Sequence, residues 1–188
     1  MTRIKQVMPN IDDKELKYIT QSIQEGWLTE GPNSQEFIRH IKKFTGSKYA
    51  VLAPNGTLGL FLGLLALGLP RGSEVIVPSF TFFASASSVI FAGLRPVFVD
   101  VDIETFNIDG NKVESLITDK TKAIMPVHIY GHSANMDKVM SIAEKYNLKV
   151  IEDAAQAYGV KYKNKHCGIL GDVSVISFFA DKTITMGE

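Results

Sequence analysis

One lysine near the end of the chain, Lys182, follows the apolar run V-S-V-I-S-F-F at residues 173–179. That run is rich in β-branched and aromatic residues and reads as a buried strand. Its neighbour Asp181 is the only charge close to Lys182 in the sequence. Lys182 is either a surface lysine at a strand exit, the usual setting for an ammonium, or a Schiff-base lysine. In the second case desolvation or cationic neighbours make its amine nucleophilic. Ser177, just upstream, is a candidate phosphate donor.

Three more stretches carry groups of the same kind. Asn55-Gly56-Thr57 stands directly before an apolar, helix-like run. Glycine lets the backbone approach a ligand, and the free N–H groups of a helix start favour an anion. The stretch is a phosphate cup with the Thr57 hydroxyl as an added donor, or an ordinary turn with Thr57 as a helix cap. Pro78-Ser79-Phe80-Thr81-Phe82-Phe83 offers aromatics that either stack on a flat ring or pack in a core. Ile151-Glu152-Asp153-Ala154-Ala155-Gln156 ends an apolar run with two acids, whose side chains face opposite ways if the strand continues. One of them can then hold a positive heterocyclic nitrogen, or Asp153 can cap a following helix. A phosphate cup, a flat-ring platform, a carboxylate and a lysine are the parts that pyridoxal phosphate requires. Neither G-x-G-x-x-G nor a Walker loop occurs, so an oxidoreductase reading lacks its fingerprint. His128 and His132 have no place in the set. No cysteine or carboxylate falls at ligand spacing with them, which argues against a metal.

Positioning these groups requires repeated strand–helix units. Helical spacing of Leu16, Ile19 and Ile23 predicts a helix over 12–25, capped by Asp12 and ended by Gly26. The W-L-T-E-G-P loop at 27–32 follows. A second amphipathic helix carries Phe37, Ile41 and Phe44 and stops near Gly46. Strands are then expected at 49–53, 74–77, 96–101, 122–127, 149–152 and 173–179. Helices are expected at 58–67, 82–91, 112–117 and 136–146. Continuous apolar strands alternating with helices mean an α/β fold, a mostly parallel sheet with helices on both faces. Ligands bind such sheets outside the carboxyl ends of the strands, where all the candidate groups fall. The expected division is an N-terminal helical segment, 1–48, and a cofactor-binding domain, 49–188.

Composition is compatible with this and excludes little else. The chain has 188 residues, 45% hydrophobic and 21% charged, with 20 basic residues against 20 acidic. Zero net charge argues against nucleic-acid or membrane-surface binding driven by bulk charge. A single cysteine, Cys167, precludes an internal disulfide and suits a reducing compartment. The N-terminus lacks the apolar core of a signal peptide, and the apolar run 58–69 is too short to span a bilayer. A cytoplasmic location is the expectation.

The ordered motifs G-W-L-T-E-G-P, P-N-G-T, E-V-I-V-P-S-F-T-F-F-A-S-A, P-V-F-V-D-V-D, M-P-V-H-I-Y-G, I-E-D-A-A-Q-A-Y-G and G-D-V-S-V-I-S-F-F-A-D-K-T-I-T-M-G-E resemble the DegT/StrS family of pyridoxal-phosphate-dependent nucleotide-sugar aminotransferases. The closing D-K-T-I-T-M-G-E is most similar to its perosamine synthase branch. The resemblance implies the large domain of the aspartate aminotransferase fold. It implies transfer of an amino group from an amino acid, glutamate in this family, to a keto-sugar nucleotide through pyridoxamine phosphate. Lys182 would then anchor the cofactor and move the proton, and Asp153 would pair with the pyridine nitrogen. Gln156 would lie near the phenolic oxygen. Gly56, Thr57 and Ser177 would hold the phosphate, and Phe82 would stack on the ring. The loop at 27–32 would lie near the sugar-nucleotide entrance. Retention of Lys182 separates the chain from dehydratase-like members that carry histidine there. Pro54 and Gly59 depart from the small Ser or Cys and the Ala usual in the family. Members continue past the position of Glu188 into another strand and a smaller domain, and act as homodimers. The expectation is therefore a truncated N-terminal portion, with a catalytically inactive remnant as the alternative.

Overall fold

Asp12 starts the first helix of the computed structural model, which describes residues 8–187. The chain separates into two units, Met1–Leu52 and Ala53–Glu188. In the first, Asp12 accepts from the Lys14 N–H while its own N–H donates to Glu15 Oε2, both at 2.7 Å. This capping box satisfies two donors at the start of α1, Asp13–Gln24. Helix α2, Pro32–Thr45, has proline at its start and Gly46 in the left-handed region at its end, the usual placement of both residues. The Asn33 amide donates to Ser22 Oγ at 3.1 Å and ties the two helices together. Leu16, Ile19 and Ile23 of α1 are exposed.

The second unit is a doubly wound sheet. Strands β1 (Glu74–Pro78), β2 (Arg95–Val99), β3 (Thr121–Ile124), β4 (Lys149–Asp153) and β7 (Val173–Val175) lie in the order β2-β1-β3-β4-β7, every pair parallel. A two-residue antiparallel hairpin, β5 (Lys161–Tyr162) and β6 (Lys165–His166), stands apart. Helices are α3 (Gly56–Ala66), α4 (Ala84–Phe91), α5 (Gly110–Val113) and α6 (Met136–Tyr146). Successive strand residues point to opposite faces, and the core divides accordingly. Val75, Val77, Ala123, Met125, Ile151 and Val175 join Leu60 and Leu64 of α3 and Val89 of α4. Ile76, Ile124 and Val150 join Val113 of α5 and Met136, Val139, Ile142 and Ala143 of α6. Helices therefore cover both faces. Each buried Val, Leu, Ile or Met among them contributes about 1.5–3 kcal/mol of hydrophobic transfer. Among the described residues no helix is long and apolar enough to cross a membrane.

Several expected elements change at their ends, for identifiable reasons. Residues 49–53 form no strand. Tyr49 is 76% and Val51 84% exposed, and no described strand lies beside them to supply a ladder. The last strand ends at Val175, not at residue 179, because its neighbour β4 ends at Asp153 and offers no further partner. Helix α4 begins two residues later than expected, with Phe82 and Phe83 in the preceding turn. Pro96 is tolerated because β2 is an edge strand. The β5–β6 hairpin is unforeseen by the hydrophobic pattern. Its turn, Lys163-Asn164, has positive φ at both residues, as the common two-residue hairpin turn requires.

Candidate active site

The sequence order of the strands reverses at β1. The chain passes outward from β1 to β2, then returns to the other side of β1 as β3. The carboxyl ends of this sheet carry the candidate groups. Gly56 is the first residue of α3 and Thr57 the second. The cap is Asn55, whose side chain accepts from the Leu58 N–H at 3.0 Å, so Thr57 does not serve as the cap. A Cβ built on Gly56 would stand 3.3 Å from Ser177 Cβ and 3.5 Å from its Oγ. Gly56 and Ser177 therefore face each other at the positive end of a three-turn helix. Ser177 Oγ accepts from the Phe179 N–H at 3.3 Å.

Asp153 is the last residue of β4. The two-residue period puts it on the same face as Ile151, the face covered by α3 and α4. Its Oδ2 accepts from Ser85 Oγ of α4 at 2.6 Å, and its Oδ1 accepts from the Ala155 N–H at 3.2 Å. Burial raises the Asp153 carboxyl above its ordinary range, while the Ser85 bond, the Ala155 N–H and the Lys182 ammonium oppose that rise. Lys182 follows β7 in a turn where its N–H donates to the Phe179 carbonyl at 3.0 Å. Its side chain is only 18% exposed, and Nζ lies 2.8 Å from Asp181 Oδ1. That is far from the free surface lysine that residue type alone suggests.

Phe82 is 63% exposed and lies against Phe83 at 4.7 Å between centroids. Its carbonyl accepts from the Ser85 N–H at 3.1 Å, so the aromatic turn and the Asp153 contact are built on one short segment. Gln156 follows β4, and its Oε1 accepts from the Tyr130 N–H.

The donor set fits a phosphate-bearing pyridine. Absence of a side chain at Gly56 keeps open a cradle against Ser177 that a methyl group would enter. Each oxygen of the buried Asp153 carboxylate has one protein donor, which leaves a lone pair on each for a cationic N–H.

The DegT/DnrJ/EryC1/StrS aminotransferase family model matches residues 9–188. The chain belongs to this family. It is 46% identical to the GDP-perosamine synthase of Caulobacter vibrioides, over 100% of this chain and 51% of that protein. The PLP-form of Spr1654 from Streptococcus pneumoniae superposes with a TM-score of 0.96 at 31% identity, covering 100% of this chain and 52% of that one. DesI in the presence of its TDP-sugar product gives a TM-score of 0.86 at 34% identity, covering 95% and 47%. The chain thus spans about half the length of the relatives it matches.

In this DegT-family chain two buried features have no counterpart among the sequence expectations. Ser85 is fully buried. Its bond to Asp153 spans 68 positions in the sequence, so no local spacing could reveal it. The other is His128 with Glu152, both fully buried. Ala134 N–H donates to His128 Nδ1 at 3.1 Å, so that nitrogen is an acceptor and Nε2 carries the proton donated to Glu152 at 2.9 Å. Glu152 also accepts the N–H groups of Gly168, Leu170 and Gly171 at 2.7–2.8 Å. Burial raises its carboxyl, but the bonds from His128, Gly171 and Gly168 outweigh it and hold Glu152 below the ordinary carboxylate range. The pair of acids therefore splits as the strand period requires: Glu152 fastens a loop and Asp153 faces the site. His132 Nδ1 lies 3.0 Å from Asn107 Nδ2.

Proposed function

We propose that this chain carries the cofactor bed of a pyridoxal-phosphate-dependent aminotransferase that acts on a keto-sugar nucleotide. The names of its relatives support the substrate class: a GDP-perosamine synthase and a protein solved with a TDP-sugar product. Spr1654, solved in PLP and PMP forms, supports the cofactor. The observation that carries the reading is the buried carboxylate of Asp153 at a sheet's carboxyl edge, within the field of the largely covered Lys182.

In this reading Gly56, Thr57 and Ser177 hold the phosphate, with the start of α3 supplying backbone donors. Asp153 keeps the pyridine nitrogen protonated. Phe82 covers a ring face and Gln156 lies at the phenolic oxygen. When bound, pyridoxal phosphate supplies an electron sink that stabilises negative charge at the substrate carbon. Lys182 Nζ is the covalent anchor and, once released, moves the proton at that carbon. The amino donor is an amino acid, glutamate by resemblance, and the active form is a homodimer.

The test is to add pyridoxal phosphate to the purified chain and follow visible absorption. A band that borohydride abolishes, with the added mass on Lys182, is the expected result. Absence of a band both here and in a longer chain containing this one would end the cofactor reading. A second reading is a chain that is non-catalytic on its own. Its signature is a band only in the longer chain.

A further inference from the structure

Asp153 has a partner that the proposed cofactor bed does not use. Ser85 Oγ stands 2.6 Å from Asp153 Oδ2 and 2.7 Å from Thr81 Oγ1. Ser85 is fully buried and Asp153 is 5% exposed, so water does not substitute freely for either bond. A hydroxyl carries one proton. An ionised Asp153 accepts only, so Ser85 gives that proton to Asp153, and its oxygen then accepts from Thr81. The direction of the relay is fixed by the charge at its end: Thr81 to Ser85 to Asp153.

Resting on the cofactor reading above, we propose that Thr81 and Ser85 are positioning residues that hold Asp153 ionised and aimed at the ring nitrogen of the cofactor. Geometry supports this on two counts. Thr81 and Ser85 stand four positions apart around the turn into α4, and the same segment carries Phe82. The element that presents the ring-facing aromatic thereby also fixes the carboxylate. Burial drives Asp153 toward its neutral form, and the Ser85 bond opposes that drive. A neutral Asp153 would not hold a proton on a pyridine nitrogen.

The test compares two cofactors on the same protein: pyridoxal phosphate and its 1-deaza analogue, in which a C–H replaces the ring nitrogen. Ser85→Ala should weaken affinity for pyridoxal phosphate by roughly tenfold, the scale of one hydrogen bond to a charged group. Affinity for the deaza analogue should stay within a factor of about two. Thr81→Val, which keeps the side-chain shape, should act in the same direction with a smaller loss, and decides the question if Ser85→Ala does not fold. With pyridoxal phosphate labelled by 15N in the ring, the resonance of the variant should move toward the deprotonated position. Equal losses for both cofactors would reduce Ser85 to a packing residue and overturn the proposal, as would an unchanged affinity and 15N shift. Failure of both the unsubstituted protein and a longer chain containing it to bind either cofactor would instead sink the cofactor reading on which the proposal rests.

Discussion

Asp153 is buried with one protein donor on each carboxylate oxygen. Its carboxyl is raised by burial, so in the cofactor-free chain the ionised form costs folding free energy at neutral pH. That cost disappears as pH falls through the raised value, because the folded state then binds the proton more tightly than the unfolded one. Asp153→Asn should therefore raise the melting temperature of the cofactor-free protein at pH 7, with a shrinking advantage toward acid pH. The amide can accept from the Ala155 N–H and donate to Ser85, which reverses the hydroxyl relay. The same variant should lose nearly all transamination in the longer chain, read by turnover of a keto-sugar nucleotide. A lower melting temperature at pH 7 would contradict the burial argument. At this scale the sequence disclosed residue types and little of their partners. Lys182, Asp153 and Gly56 were visible because each sits at a strand exit or helix start. Ser85 and the Glu152 donors were not, since they stand 16 to 68 positions away in the sequence and meet their partners only in the fold.

Helix α3 carries Gly56 and Thr57 of the proposed phosphate cup, and its approach to the sheet is set by two glycines. A Cβ on Gly59 would stand 2.8 Å from Val175 Cγ1, and one on Gly63 would stand 3.0 Å from both Ile151 Cδ1 and Val173 Cγ1. Valine is stiff at χ1 and cannot step aside easily. Gly59→Ala would gain about 1 kcal/mol of helix propensity but introduce about 1–3 kcal/mol of overpacking. A net destabilisation is expected in the native background. With Val175→Ala already present the clash is gone, and Gly59→Ala should become stabilising. A double-mutant cycle by denaturant unfolding measures this, and additivity of the two changes would refute the contact as the cause. Gly59 thus has a local packing reason in this chain. The elements themselves were legible where an apolar run met a sheet partner, as in β1, β3, β4 and α6. They were misread where pattern and partner disagreed. Residues 49–53 have a strand-like composition but no ladder, and the β5–β6 hairpin has a ladder but little apolar pattern.

Across the whole molecule, the buried carboxylates Glu74, Glu152 and Asp153 do not all respond alike to acid. Glu74 opens β1, where it accepts from Thr118 Oγ1 at 2.6 Å and lies 3.8 Å from Arg95. The Thr118 bond holds its carboxyl below the ordinary range despite burial. Glu152, near the end of β4, is also held low, by His128 and the backbone of 168–171. A carboxyl depressed in the folded state contributes stability that is present above its unfolded value, about 4.3 for Glu. That stability drains away as pH falls through the lower folded value. Asp153 has the opposite sign, so it offsets part of the acid loss. Glu152→Gln should cost at least about 2 kcal/mol at pH 7, because an amide nitrogen must face a backbone N–H where a carboxylate oxygen accepted. It should also flatten the decline of stability below about pH 4.3. Chemical denaturation of the native and Glu152→Gln chains from pH 7 to pH 3 measures both effects. An equally steep acid decline in the variant would show that Glu152 is not among the groups that set it. Because Glu152 and Asp153 are adjacent on one strand, the residue that anchors the 168–171 loop also holds the register of the residue that faces the site. The variant should therefore weaken cofactor affinity as well, without removing any group that touches the cofactor.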